Sequence, residues 1–271
     1  MPNLSLTTWS LHRNLGPLRW TQWDDERKEH VTRVEEQPEK LSLLELPAVL
    51  RDKGFTTMEI CHFHFKDTSS SYLQELREAI QQAGMRFYTL LADYGDITNP
   101  DETRREADME WLQRWIDIAS AAGAERIRII GGDAEALKLA ASQLQRLIDY
   151  AADKQVRIVT ENFHAMTSTA DNCLALLDAC GNQLGLTSDF GNFKGPTKLQ
   201  ELSRTITRSE SIHAKAQQDE QGNLDDAEFI SCMELVKEHQ YEGPITIVYD
   251  GPGDMWDGID RVRKLVTPYL G

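Results

Sequence analysis

The feature that most constrains this chain is an alternation that runs its whole length, in which short apolar segments take turns with longer stretches of helical periodicity. The apolar segments are Leu4 to Ser10, Thr56 to Cys61, Phe87 to Ala92, Ile127 to Ile130, Arg157 to Glu161, Leu184 to Ser188, Ser211 to Ala216 and Ile245 to Tyr249. Nearly continuous apolar runs of this length predict strands of a parallel sheet covered on both faces. Pro47 suits the first turn of a helix that stops at Gly54, and Ser71 to Ala83 is helical up to Gly84. Asn99-Pro100-Asp101-Glu102 starts a helix to Ala122, and Gly131-Gly132-Asp133 opens another to about Lys154. Thr169 caps a helix to Cys180, and further helices are expected over Pro196 to Ile206, Asp225 to His239 and Met255 to Val266.

Eight such units without a composition break, in 271 residues, predict an α/β fold: a single (β/α)₈ barrel over 1–271, with its active site at the C-terminal ends of the strands. An open doubly wound sheet fits less well. It would want a Gly-rich phosphate loop after the first strand, and polar residues gathered at one switch point. The stretch from about 13 to 40 reads as a long loop after the first strand, and Trp20 and Trp23 suggest that it packs as a lid.

The formal net charge of −15 repels phosphate backbones, so nucleic acid is not an expected partner. No apolar run approaches the roughly 20 residues that span a bilayer, so no membrane association is expected. The start of the chain reads as a strand without a secretory signal, which leads to a cytoplasmic expectation. Cys61, Cys173, Cys180 and Cys232 lack metal spacing and read as reduced thiols. A homo-oligomer is compatible with the sequence and is not specified by it.

Chemistry concentrates where strands end. Arg157-Ile158-Val159-Thr160-Glu161-Asn162-Phe163-His164 breaks from an apolar run into a carboxylate, an amide and an imidazole. The competing reading of Glu161 is an ordinary structural ion pair. Across all strand ends the polar residues are His12, His62, His64, Asp93, Asp133, Glu161, His164, Asp189, Asn192, His213, Lys215 and Asp250. His213 and Lys215 share one face of their strand, and such a pair in an apolar strand fits a polar centre; the alternative for His213 is a bonded core histidine. Glu161, Asp189 and His213 come from three consecutive strands, and two carboxylate oxygens with one imidazole nitrogen suit Mn²⁺, Mg²⁺, Co²⁺ or Zn²⁺. Trp9, His12, His62, His64, His164, Asn192 and Asp250 are the expected substrate contacts, with Trp9 able to stack on a sugar face.

The segments Thr160-Glu161-Asn162, Ser188-Asp189-Phe190-Gly191-Asn192-Phe193, Ile212-His213-Ala214-Lys215 and Tyr241-Glu242-Gly243-Pro244-Ile245, in this order and spacing, carry a resemblance. The chain resembles the sugar isomerase/epimerase superfamily of xylose-isomerase-like barrels, which includes ketose 3-epimerases, inosose dehydratases and endonuclease IV. The resemblance implies a divalent metal held by a Glu, an Asp, a His and a second Glu, which fall on Glu161, Asp189, His213 and position 248. Position 248 is a valine. In the epimerases the two glutamates exchange a proton from opposite faces of the reacting carbon, so Val248 removes a ligand and a base together. Asp250 shares the parity of position 248 but lies about 6.6 Å further along the strand, so it does not replace that carboxylate.

These readings lead to a metal-assisted isomerase or lyase acting on a small carbohydrate substrate, a sugar, keto-sugar or polyol-derived carbonyl compound, through an enediolate. Glu161 or Lys215 is the expected base, Lys215 only if a neighbouring metal and partial burial lower its pKa. The alternative is a barrel that binds a carbohydrate or a partner without metal chemistry. DNA repair of the endonuclease IV type is disfavoured by the charge and by Asp93 and Asp133 at the ends of the third and fourth strands.

Overall fold

The structure is a computed structural model, and it describes residues 2–219 and 221–270. Among the described residues ten strands and eight α-helices follow one another: β1 Asn3–Thr7, β2 Leu18–Asp24, β3 Glu29–Glu35, α1 Leu46–Asp52, β4 Thr57–Cys61, α2 Ser70–Gln82, β5 Arg86–Leu91, α3 Glu102–Ala122, β6 Arg126–Arg128, α4 Leu137–Ala151, β7 Arg157–Glu161, α5 Ala170–Ala179, β8 Gly185–Asp189, α6 Lys198–Ile206, β9 Ser211–Lys215, α7 Asp226–Glu238, β10 Pro244–Val248 and α8 Met255–Val266. β1 and β4 to β10 are parallel and close into a barrel in the order β1-β10-β9-β8-β7-β6-β5-β4, with helices between them. This is the (β/α)₈ barrel that the alternation predicts.

Local chemistry sets the helix starts. Ser69, Asp101, Thr169, Asp225 and Asp254 each accept a backbone N–H of the following helix, and each such cap contributes about 1 kcal/mol. Outward-facing strand residues such as Ile60, Ile127 and Ile247 pack with Leu76, Leu112 and Val262 of the helices in one buried apolar layer. The inward face differs: Thr57, Glu59 and Cys61 alternate along β4, and Ser5, Thr89, Thr187, Ser211 and Thr246 are buried polar residues on the other strands. Glu210 seals the N-terminal end, accepting from Arg157 Nε at 2.6 Å and Arg126 Nε at 3.0 Å.

Two segments depart from the sequence expectation. The stretch from 13 to 40 contains the antiparallel hairpin β2–β3, paired from Leu18↔Glu35 to Asp24↔Glu29, where a long loop was expected. His30 of β3 pins it to α3, with Nε2 2.8 Å from the buried Asp108. The helix expected to open at Gly131 starts at Leu137 instead, because the glycines serve a close approach. Gly132 has φ +125, and a Cβ there would meet Thr98 Cγ2 at 2.3 Å. Asp133 N then donates to Asp96 Oδ1, which holds the segment as a loop over the barrel mouth.

Candidate active site

Register brings the site together. Asp189 at the end of β8 lies beside His213 of β9, and Thr246 of β10 flanks His213 on its other side. Glu161 ends β7. His213 Nδ1 is 3.5 Å from Asp189 Oδ2 and 3.8 Å from Glu161 Oε1, and the donor atoms of the three residues lie within 4.8 Å of one another. The side chain of Asn162 ties the strands at this point: Oδ1 accepts from Asp189 N at 2.7 Å, and Nδ2 donates to Asp189 O at 3.0 Å.

These residues floor a cavity of about 340 Å³. Trp9, Trp20, Phe63 and Phe163 form its aromatic side, while Glu161, Asp189, His213, Lys215 and Asp250 face them with Arg128, Asp93 and Asn192. Trp20 comes from the hairpin, so that segment contributes one wall residue to the cavity. Val248 also lines the cavity and is the register partner of Lys215. Lys215 crosses the floor because residue 191 is glycine: a Cβ there would meet Lys215 Cδ at 2.8 Å. Its Nζ ends 2.6 Å from Asp250 Oδ2.

The electrostatics are strongly coupled. Burial alone would raise the pKa of Glu161, but the charges of Arg128 and His213 outweigh it and hold the carboxyl down to about 2. Burial would lower His213, but Glu59 and Glu161 raise it well above the ordinary imidazole value. Burial would lower Lys215 too, yet Asp189 and Asp250 raise it. The condition for Lys215 to act as a base, a lowered pKa, is therefore not met by the protein's own charges.

Three expected substrate contacts lie outside the cavity. His12 stacks on Trp9 with centroids 4.3 Å apart, and its Nδ1 is 2.7 Å from Trp9 O, so it supports the aromatic wall from behind. His62 and His64 fall in the 3₁₀ turn after β4, which turns both rings into the protein. His62 packs against Trp111 and Trp115 and accepts from Asp93 N at 3.2 Å. His64 Nδ1 lies 2.8 Å from Thr8 Oγ1. Trp9, His164, Asn192 and Asp250 do line the cavity. His164 is held at φ 65 and ψ −178, a strained conformation for a residue with a side chain, with Nδ1 2.6 Å from Asp133 Oδ1. Asn192 Nδ2 donates to Glu161 Oε1 at 2.8 Å.

Two buried residues complete the site and were missed by sequence reasoning. Arg128 places Nε 3.3 Å from Glu161 Oε2 and bonds Asp93 through Nη2. Glu59, with no exposed surface, bonds His213 Nε2. Each carried a signal: a charge in the middle of an apolar strand run.

The model of the family described as xylose isomerase-like TIM barrel matches residues 47–265. The chain belongs to that family. No curated protein matches it in sequence. Among solved structures, this xylose isomerase-like barrel is similar to an L-ribulose 3-epimerase, with TM-score 0.73, 14% identity and coverage of 100% of this chain and 95% of the other. It is also similar to the IOLI protein with a binding zinc atom, at TM-score 0.70, 14% identity and coverage of 98% and 97%. A third is 3-keto-D-glucoside 4-epimerase, YcjR, from E. coli, at TM-score 0.65, 18% identity and coverage of 83% and 94%. At such identities the likeness shows the fold. Among the described residues, no helix of this barrel is long and apolar enough to cross a membrane.

Proposed function

We propose that this barrel is a metal-assisted isomerase or lyase of a keto-sugar, working on one face of its substrate. The observation that carries the reading is the Glu161, Asp189 and His213 cluster at the floor of the cavity, with Val248 where the resemblance calls for a second glutamate. The donor set fits a divalent ion. Two carboxylate oxygens and an imidazole nitrogen converge, and buried Glu161 Oε2 makes no hydrogen bond, its one charged neighbour named above being Arg128 Nε at 3.3 Å. Solved structures of the same fold are named for ketose and keto-glucoside epimerisation, and one carries zinc.

When bound, the ion supplies Lewis acidity to adjacent oxygens of the sugar. Glu161, ionised at neutral pH and fixed by Arg128 and Asn192, accepts the proton of the neighbouring carbon. Lys215, kept protonated beside Asp250, donates a hydrogen bond to a substrate oxygen. The aromatic side takes the C–H face of the sugar and excludes water. His164, oriented by Asp133, contacts the substrate at the rim. Val248 offers no proton carrier on the face opposite Glu161, and a base acts only within about 2.6 to 3.2 Å or through one water.

The test is a screen of free and oxidised keto-sugars with Mn²⁺ in deuterated water. Isomerised or dehydrated products with solvent deuterium at one carbon, and little inversion, are expected. Rapid 3-epimerisation of a free ketose would overturn the one-face reading. Sugar binding that persists under chelator with no turnover would favour a binding protein instead.

A further inference from the structure

Glu59 sits between Met58 and Ile60 in a strand buried along its whole length. A carboxyl group with no exposed surface loses hydration that only strong bonding offsets. Side chains alternate along β4 and Cys61 lines the cavity, so Glu59 shares that inward face one step deeper in the barrel. There its Oε2 lies 2.7 Å from Nε2 of His213. The two residues are not neighbours in the sheet, since β1 and β10 stand between their strands. Its other oxygen, Oε1, has no hydrogen-bond partner among the described residues. The bond to His213 is thus what holds this carboxylate, and it spans the barrel interior.

We propose that Glu59 is a positioning residue of the metal site. It accepts a hydrogen bond from Nε2–H of His213, so that when an ion displaces the proton from Nδ1 the freed lone pair is aimed at the point shared by Glu161 and Asp189. The proposal rests on the metal-assisted reading above. A neutral imidazole ligates through one nitrogen while the other carries the proton, and a carboxylate on the protonated nitrogen fixes the ring and strengthens the donor opposite. The distances fit this division of labour: Nε2 is bonded at 2.7 Å, while Nδ1 faces the two carboxylates at 3.5 and 3.8 Å, the side on which a shared ion would lie. With valine at position 248 the site has one donor fewer, so the orientation of each remaining donor matters more.

The test is Glu59→Gln, read by calorimetric titration of the metal-stripped full chain with Mn²⁺ and by histidine-nitrogen NMR of the cadmium-loaded protein. In the parent, scalar coupling to cadmium is expected at Nδ1 of His213, with a proton on Nε2 shifted far downfield by the carboxylate. Glu59→Gln is expected to keep the fold, to lose the downfield shift and to bind Mn²⁺ about 10- to 100-fold more weakly. A purely structural glutamate would lower the stability of the metal-stripped protein and leave metal affinity unchanged. Parent-like affinity in Glu59→Gln, or cadmium coupling at Nε2, would overturn the proposal. If the variant does not fold, the coupling pattern of the parent decides alone. A parent that binds neither Mn²⁺ nor cadmium would overturn the metal site and the proposed function together, whereas failure of the Glu59 result alone leaves that function standing.

Discussion

Lys215 and Asp250 form an ion pair at the barrel mouth, with 2.6 Å between Nζ and Oδ2, directly beside the valine that is the register partner of Lys215. A fixed cation thus stands on the side of the cavity where the resemblance calls for a carboxylate. Lys215→Met is expected to lower turnover of the ketose identified by the screen by about 100-fold, the scale of losing one preorganised donor to a developing oxyanion. Mn²⁺ affinity should change little. Unaltered turnover, measured at saturating substrate, would remove Lys215 from the chemistry.

Val248→Glu supplies the missing carboxylate. Val248 is only 5% exposed, so in metal-stripped protein the new charge is buried beside a lysine already paired with Asp250, and the melting temperature should fall. Mn²⁺ should restore it, because a ligand bound at about 100 times its Kd stabilises by about 2.7 kcal/mol. The variant is also expected to gain stereoinversion of a ketose that the parent isomerises without inversion. Melting curves with and without Mn²⁺, together with product stereochemistry, check both halves.

Arg128, 4% exposed, is the cation between Asp93 and Glu161. Arg128→Met leaves those carboxylates without it, and breaking a buried pair from one side costs about 3–5 kcal/mol. Urea unfolding of metal-stripped protein should show that loss. A variant as stable as the parent would mean that the two acids find water or shed their charge at little cost.

His62 and His64 give a pH dependence of stability. Burial lowers their pKa values from the ordinary 6.5 to about 4 and about 3. The folded values lie below the unfolded one, so between them the unfolded chain binds more protons and stability falls as pH falls below 6.5. Each ring should withdraw on the order of 2 kcal/mol by about pH 5. Above pH 6.5 the two contribute no slope. Urea midpoints of the parent and of a His62→Gln/His64→Gln variant, measured across this range, should converge toward acid. Parallel curves would refute the assignment.

The barrel is written in the order of residues, because apolar runs of strand length alternating with capped amphipathic helices leave one economical way to bury both faces of every strand. That order also places Glu161, Asp189 and His213 at the ends of or within consecutive parallel strands, which is why their donor atoms come together in a candidate metal site. The valine at position 248 stands out only against the resemblance, which implies a glutamate there. What lies outside that local periodicity is set by packing between distant segments. The hairpin at 18–35 depends on its docking against α3 through His30 and Asp108, and the strand ends give no sign of it. His62 and His64 sit at a strand end like Asp189 does, yet a 3₁₀ turn swings them away from the cavity. Glu59 and Arg128 were visible as charges in apolar strands, but their partners come from other strands: His213 is 154 residues from Glu59. A contact between strands so distant in sequence is fixed by barrel closure and register, which no local pattern of residues encodes.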